Sequence, residues 1–350
     1  MQFSSDNWAG ASPQISQAVV ENSLGFASAY GSNDLDKAVE ARFCELFERE
    51  VAVLTVATGT AANSLALALA MKPGGIALAY REAHVIEDEC GAPEFFMGSG
   101  RIEPLDGDLG KISAESLSAA LSRYDPPFLH HGRATALTMT QSSEVGTVYR
   151  VDEISGLAAM AHAAGLAVHM DGARFANGLV SLGVTPAEMT WKAGIDMLSF
   201  GGTKNGCWCA EALLCFKPEL VEDFAYLRKR TGHLFSKSRF IAAQFDAYFR
   251  DGLWLNLARH ANAMAQELAG VVENSANSRL AWPVQANQVY AVMNRDRAAA
   301  MLEAGAAFHE WPRPAAHRDV IGKGEGLYRL VTNFSTESAE IEAFAALLNR

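Results

Sequence analysis

Lys204 stands just past an apolar run, residues 197–200, behind Gly201, Gly202 and Thr203. A lysine there is ordinarily solvent-exposed or an anion ligand. It becomes a nucleophile toward an aldehyde when its surroundings lower its pKa from the usual ~10.4. Upstream, Asp171 closes another apolar run in Leu166-Ala167-Val168-His169-Met170-Asp171-Gly172-Ala173-Arg174, with an arginine three residues later. A buried carboxylate with no cationic partner is costly or takes up a proton, so Asp171 calls for a positive charge from Arg174 or from a ligand. Earlier still, Ala57-Thr58-Gly59-Thr60 separates a strand-like run from a helix-like one. Gly59 lets the backbone turn tightly, and Thr60 places a hydroxyl beside the free amides that a helix start turns toward an anion. The same residues also read as a plain capped turn. Together, a phosphate seat, an acid ending one strand and a lysine after the next are what pyridoxal 5'-phosphate needs. The acid keeps the pyridine nitrogen protonated as an electron sink, and the lysine condenses with the aldehyde.

Elements that alternate between strand and helix must position these residues. Leu35, Val39, Phe43, Leu46 and Phe47 share one face of an expected helix over 33–50, capped by Asn33 or Asp34. Expected strands follow at 51–56, 76–80, 134–140, 166–170, 197–200 and 212–216, with helices at 61–71, near Glu87 and at 152–164. Nearly all-apolar strands between helices indicate an α/β fold with a mostly parallel central sheet covered on both faces. Residues 218–272 read as helical throughout. The tail then changes to strand 288–293, helix 295–305, strand 326–334 and helix 335–348. The expected division is an N-terminal segment, 1–15, joined to a small C-terminal α/β domain, 251–350, around a large cofactor-binding domain, 16–250. In such open sheets ligands sit beyond the carboxyl ends of the strands, where the three motifs fall.

Composition narrows the class without naming chemistry. The chain has 350 residues, 49% of them hydrophobic and 20% charged, a globular balance. Lys plus Arg is 29 against 40 Asp plus Glu, a net charge of -11, which argues against a nucleic-acid or anionic-membrane surface. Apolar stretches such as 61–71 are too short to span a bilayer, and the first residues lack a secretory pattern, so a cytoplasmic protein is expected. Five scattered cysteines read as reduced core residues. Cys207 and Cys209 lack a second pair at zinc spacing, so no metal is expected. Arg329, amid Leu327, Tyr328, Leu330 and Val331, needs a partner, either a bound carboxylate or a structural ion pair.

Thr58-Gly59-Thr60, Ala83-His84, His169-Met170-Asp171-Gly172-Ala173-Arg174 and Gly202-Thr203-Lys204, in this order and spacing, resemble the low-specificity L-threonine aldolases of the aspartate-aminotransferase-like fold, fold type I. The likeness runs from Ser5-Asp6-Asn7 through Tyr30-Gly31 to Arg329-Leu330-Val331-Thr332. The stretch from His84 to Phe95 is similar to a bacterial subgroup acting on several β-hydroxy-α-amino acids. The resemblance implies Lys204 bonded to the cofactor, Asp171 at the pyridine nitrogen, Gly59 and Thr60 at the phosphate, and His84 stacked on the ring. It further implies His130, with His84, at the substrate hydroxyl, although the adjacent His131 competes for that assignment. Asp88 is implied near the same hydroxyl, while Glu87-Asp88-Glu89 by itself reads as exposed charge.

Arg174, also a cofactor contact, and Arg329 look like the substrate-carboxylate clamp, with Ser5 and Tyr30 beside them. Two parallel hydrogen bonds suit a guanidinium to that task. Among Arg228, Lys229, Arg230, Lys237 and Arg239, the resemblance implies one residue reaching the phosphate of a neighbouring subunit. Lys229 is the first choice, and a solvated helix face is the competing reading. A homotetramer or dimer with active sites at the subunit interface would follow.

The expected reaction is retro-aldol cleavage of L-threonine, L-allo-threonine and relatives such as phenylserine to glycine and an aldehyde. His84, His130 or a water would take the hydroxyl proton. A pocket open to several aldehydes predicts weak discrimination between threonine and allo-threonine. The alternative is a β-eliminating amino-acid lyase on the same fold. A nicotinamide enzyme is disfavoured, since no G-x-G-x-x-G follows the first strand.

Overall fold

The computed structural model describes residues 1–350, apart from the side chains of Pro218 and Arg318. Its larger sheet has 7 strands, in the order Ala52–Val56, Glu211–Cys215, Met197–Gly201, Ala167–Gly172, Arg133–Thr140, Gly75–Tyr80 and Arg101–Leu105. Glu211–Cys215 runs antiparallel to both neighbours, and the remaining pairings are parallel. That one reversal brings Glu211 level with Val56 and Gly201, at the edge where the parallel strands end. Strand Met197–Gly201 is buried throughout, as an all-apolar run between two helical layers must be.

Helix Gly59–Ala70 packs on the inner strands, and its many alanines allow close approach to the sheet. Thr58 starts it by accepting the Ala61 N–H at 3.1 Å, an ordinary N-cap. Under the strand that leads to Lys204, Phe200 meets Phe43 and Phe175 with ring centroids 5.3 and 5.5 Å away. Such a close-packed aromatic layer fixes the height of the loop above it.

The second sheet has 4 antiparallel strands, ordered Ser278–Leu280, Gln288–Asn294, Glu325–Val331 and His309–Glu310. Helices Leu253–Asn274 and Ser338–Leu348 contribute Leu268, Ile341 and Phe344 to its core. The N-terminus joins this unit. Phe3 is fully buried, its N–H donates to the Ala307 carbonyl and its carbonyl accepts from Val331, both at 2.8 Å. The chain then turns toward the cleft between the sheets, carrying Asp6 and Asn7.

Two expectations need correction. Residues 218–272 are not one helical stretch. Phe224–Arg230, Arg239–Phe249 and Leu253–Asn274 are separate helices, broken near Gly232 at φ +80 and at Asp251 at φ +52. Left-handed φ at these points interrupts helix propagation. The edge strand Arg101–Leu105 was also not anticipated. It is mostly accessible and contains Pro104, so it carries neither an apolar run nor clean alternation.

Candidate active site

The ends of the parallel strands surround a cavity of about 330 Å³. Its wall includes Thr58, Gly59 and Thr60 from the first turn, Asp171 and Arg174 beyond the central strand, and Thr203 and Lys204 beyond the next. Asp171 is 2% exposed, and both its oxygens accept hydrogen bonds, Oδ1 from the Ala173 N–H at 3.0 Å and Oδ2 from Asn63 Nδ2 at 2.9 Å. Among the described residues the Lys204 ammonium has no ion-pair or hydrogen-bond partner. Burial lowers its pKa, as does the nearby Arg174 charge, against the opposing fields of Asp6, Asp171 and Glu211. Gly59 has only Glu211 Oε2, at 4.0 Å, near the place a Cβ would occupy, so the helix start is open toward the cavity. A free amine, a held carboxylate and an open helix N-terminus around one cavity fit pyridoxal phosphate.

His84 begins the short helix His84–Glu87, and its backbone N–H donates to Glu144 Oε1 at 2.9 Å. Its ring Nδ1 lies 2.8 Å from Glu89 Oε1. A carboxylate can only accept, so Nδ1 carries the proton and Nε2 is left as a potential base. Burial alone would lower the His84 pKa. The hydrogen bond to Glu89 and the charges of Asp171 and Glu89 outweigh burial and hold it above the ordinary value.

Asn63 ties this group to Asp171, because the same Nδ2 donates to Glu89 Oε1 at 2.8 Å. Ligand-type atoms of His84, Glu89 and Asp171 lie within 4.8 Å of one another, and Asn63 Nδ2 and His84 Nδ1 hydrogen-bond to carboxylate oxygens of this group. Glu144 also accepts from Thr140 Oγ1 at 2.8 Å, while its Oε2 is buried without a partner. Burial pushes its carboxyl up. Glu89, Glu144, Glu211 and Asn63 were all missed in the sequence. A visible signal existed only for Glu211, an acid opening the apolar run 211–216.

Arg174 lines the cavity, yet its guanidinium is already engaged. Nε and Nη2 meet Asp6 Oδ2 and Oδ1 at 2.7 and 2.9 Å. Burial alone would raise the Asp6 carboxyl, but Arg174, Lys204 and the amide of Asn287 hold it below the ordinary value. Arg329 differs. Among the described residues no carboxylate lies within ion-pair distance of it. Nη2 donates to the Ser4 carbonyl at 3.3 Å, the guanidinium also reaches the Tyr290 hydroxyl, Nε is buried and unpartnered, and the guanidinium stands 4.1 Å over the Trp311 ring. Ser5 caps the turn Asp6–Trp8 through the Asn7 N–H at 3.2 Å, and Asn7 is the residue of that segment on the cavity wall.

Six expected site residues lie away from this chain's cavity wall, Ser5 and Arg329 together with Asp88, His130, Tyr30 and Lys229. Asp88 is exposed at the end of helix His84–Glu87, and the backbone then turns so that Glu89, 4% exposed, points inward. Asp88 still contributes to the field at Arg329. His130 is exposed on the loop near Phe128, with ring centroids 5.2 Å apart, and His131 lies 4.4 Å from the same ring. Tyr30 and Lys229 meet each other on an outer face, the ammonium 5.5 Å from the phenol ring centroid. Of the nearby basic residues, Arg228 turns inward to Thr55 Oγ1 at 3.1 Å, and Arg239 Nη1 reaches the Gly25 carbonyl at 3.1 Å.

A family model for beta-eliminating lyases matches residues 2–300. A low specificity L-threonine aldolase of Pseudomonas sp. (strain NCIMB 10558) is 40% identical over 346 residues, 99% of this chain and 96% of that protein. The chain belongs to the beta-eliminating lyase family, among its low-specificity L-threonine aldolases. A second such aldolase, from Pseudomonas aeruginosa, is 39% identical over 98% of this aldolase chain and 96% of its own. The solved threonine aldolase of Leishmania major superposes with a TM-score of 0.91 at 26% identity, covering 99% of this chain and 98% of that one. Sphingomonas wittichii serine palmitoyltransferase, at 16% identity and TM-score 0.69 over 100% of this chain and 86% of its own, shares the fold alone. The fold is that of the fold type I pyridoxal phosphate enzymes, a mostly parallel sheet with helices on both faces.

Proposed function

We propose that this aldolase cleaves L-threonine, L-allo-threonine and related β-hydroxy-α-amino acids, phenylserine among them, to glycine and an aldehyde, using pyridoxal 5'-phosphate. The observation that carries the reading is Lys204, free of partners, in one cavity with Asp171 and the open helix start at Gly59. Near-full-length relatives named for the same activity support it. When bound, the cofactor supplies an electron sink for the pair released from the Cα–Cβ bond.

The chain's own residues do the rest. Lys204 offers an amine whose lowered pKa favours the neutral, nucleophilic form. Asp171, held by Asn63 and Ala173, presents its charge to a cationic ring nitrogen. Arg329, lacking a protein carboxylate, binds that of the substrate, and Arg174 adds its charge beside the pair with Asp6. His84 Nε2, with Nδ1 fixed by Glu89, takes the hydroxyl proton directly or through a water. His130 and Asp88 stay candidates near that hydroxyl. With Ser5, Arg329, Tyr30 and Lys229, they belong to the proposed set that lies off this chain's own cavity wall.

Tyr30 and Lys229 sit together on an outer face, which suits a contribution to a second copy's site in a homodimer or homotetramer. No described helix is long and apolar enough to cross a membrane, and the proposed setting is the cytoplasm. The family model also names β-elimination, which would give a keto acid and ammonia in place of glycine. Product analysis from L-threonine separates the two. Lys204→Ala must lose both turnover and the borohydride-reducible cofactor adduct.

A further inference from the structure

Glu211 is the one acidic residue in the wall between the helix start and Lys204. It is 6% exposed, and its position follows from the antiparallel strand that it opens, beside Val56 and Gly201. Oε1 accepts the Thr203 N–H at 3.2 Å. The Thr203 hydroxyl also bears on this carboxyl, whose Oε2 faces Gly59, 4.0 Å from the place of a Cβ. The first amides of helix Gly59–Ala70 have no carbonyl a turn earlier, and Thr58 satisfies only that of Ala61. A buried carboxyl with one oxygen turned to the helix start therefore shares space with the amides that suit a phosphate.

A carboxylate and a phosphate dianion in such proximity repel, whereas an un-ionised acid donates a hydrogen bond to a phosphate oxygen. We infer that Glu211 is a cofactor-binding residue in its protonated form, so that seating the phosphate takes up a proton at this side chain. The inference rests on the proposed cofactor site and concerns how that site holds its anion.

Burial, reinforced by the Asp171 charge, pushes the Glu211 carboxyl up to about 7 against Thr203 and Lys204. The titratable groups facing it are Lys204 and Asp171 across the cavity, Cys207 and Cys209 on the preceding loop, and Tyr248 from helix Arg239–Phe249. Strand Ala52–Val56 and helix Gly59–Ala70 hold no ionisable side chain. Burial pushes Cys207 and Tyr248 well above their ordinary values. The sign follows from linkage. Below about pH 7 the free protein already carries the proton, and affinity is level. Above it, each unit costs about tenfold in cofactor affinity, because the proton must be taken from solution.

The test uses holoenzyme, wild type and Glu211→Gln, dialysed to equilibrium at pH values from about 6 to about 9. The ratio of wild-type to variant Kd for pyridoxal phosphate cancels the titration of Lys204 to first order. It should be level up to about pH 7 and climb toward tenfold per unit above it. Phosphorus NMR of wild-type holoenzyme gives a second reading that needs no variant. The rise lasts only while the bound Glu211 keeps its proton, so the bound resonance should hold steady where the Kd ratio climbs and move where the ratio levels, above the phosphate's own second ionisation at ~6. A ratio independent of pH, or a resonance that titrates where the ratio is still climbing, overturns the inference. Cofactor bound by neither protein would instead refute the cofactor reading on which it rests.

Discussion

Arg329→Met removes a guanidinium that, like the Lys204 ammonium, lacks a carboxylate partner among the described residues. If Arg329 were structural, the variant would lose stability. If it is kept for a substrate carboxylate, activity falls and stability does not. Two parallel charge-assisted hydrogen bonds at about 1.5–3 kcal/mol each are worth about 3–6 kcal/mol, so kcat/KM for L-threonine should drop by ~10²–10⁴, chiefly through KM. On the stability side, the variant loses the contact over Trp311 at 4.1 Å, about 0.5–1 kcal/mol, and the 3.3 Å bond to the Ser4 carbonyl, about 1 kcal/mol. Against this, it removes a guanidinium whose burial, with the Arg174 charge, lowers its pKa, and whose Nε is unpartnered. The opposed effects are of similar size, so Tm should stay within roughly 3 °C of wild type. Methionine replaces the aliphatic stem and keeps the packing. Steady-state kinetics on L-threonine, thermal melts and cofactor content form the assay. An unchanged KM with a Tm lowered by ~8 °C or more would refute the reasoning and make Arg329 a structural residue.

Lys204→Ala should keep the fold while losing the borohydride-reducible adduct and, within detection, turnover, as checked by absorbance and mass spectrometry. Glu89→Gln removes the hydrogen-bonded charge that holds the His84 pKa up, so the acidic limb of the pH–rate profile should shift to lower pH. An unmoved limb would show that another group is the base. Asp6→Ala leaves Arg174 buried without its bidentate partner and should cost about 3–5 kcal/mol in denaturant unfolding. Because the folded Asp6 carboxyl lies below its ordinary value, its contribution is present above the unfolded pKa of ~3.9 and is lost as pH falls through the depressed one.

Much of this architecture was legible before any coordinates. The strands leading to Asp171 and Lys204 are apolar because both faces are covered, and burial of that kind is visible as composition. The turn at Gly59 was visible for a similar reason, since strand, glycine and helix follow in immediate succession. The buried polar network was less legible. Glu87, Asp88 and Glu89 are chemically alike in a string, and only the backbone turn after the short helix decides that Glu89 points inward. Asn63 lies in an alanine-rich helix where nothing local marks it as the bridge between Glu89 and Asp171. Asp6 meets Arg174 across 168 positions of sequence, a contact that depends on the N-terminus reaching the second sheet. Strand Arg101–Leu105 escaped notice because an edge strand is under little pressure to be apolar.

The most direct measurement of the central claim is the glycine and aldehyde released from L-threonine, L-allo-threonine and their D forms, with and without added pyridoxal phosphate. The account predicts equimolar glycine and acetaldehyde from both L forms only, stimulated by the cofactor in partly depleted protein. A keto acid and ammonia without glycine, or cleavage of the D forms, would contradict it.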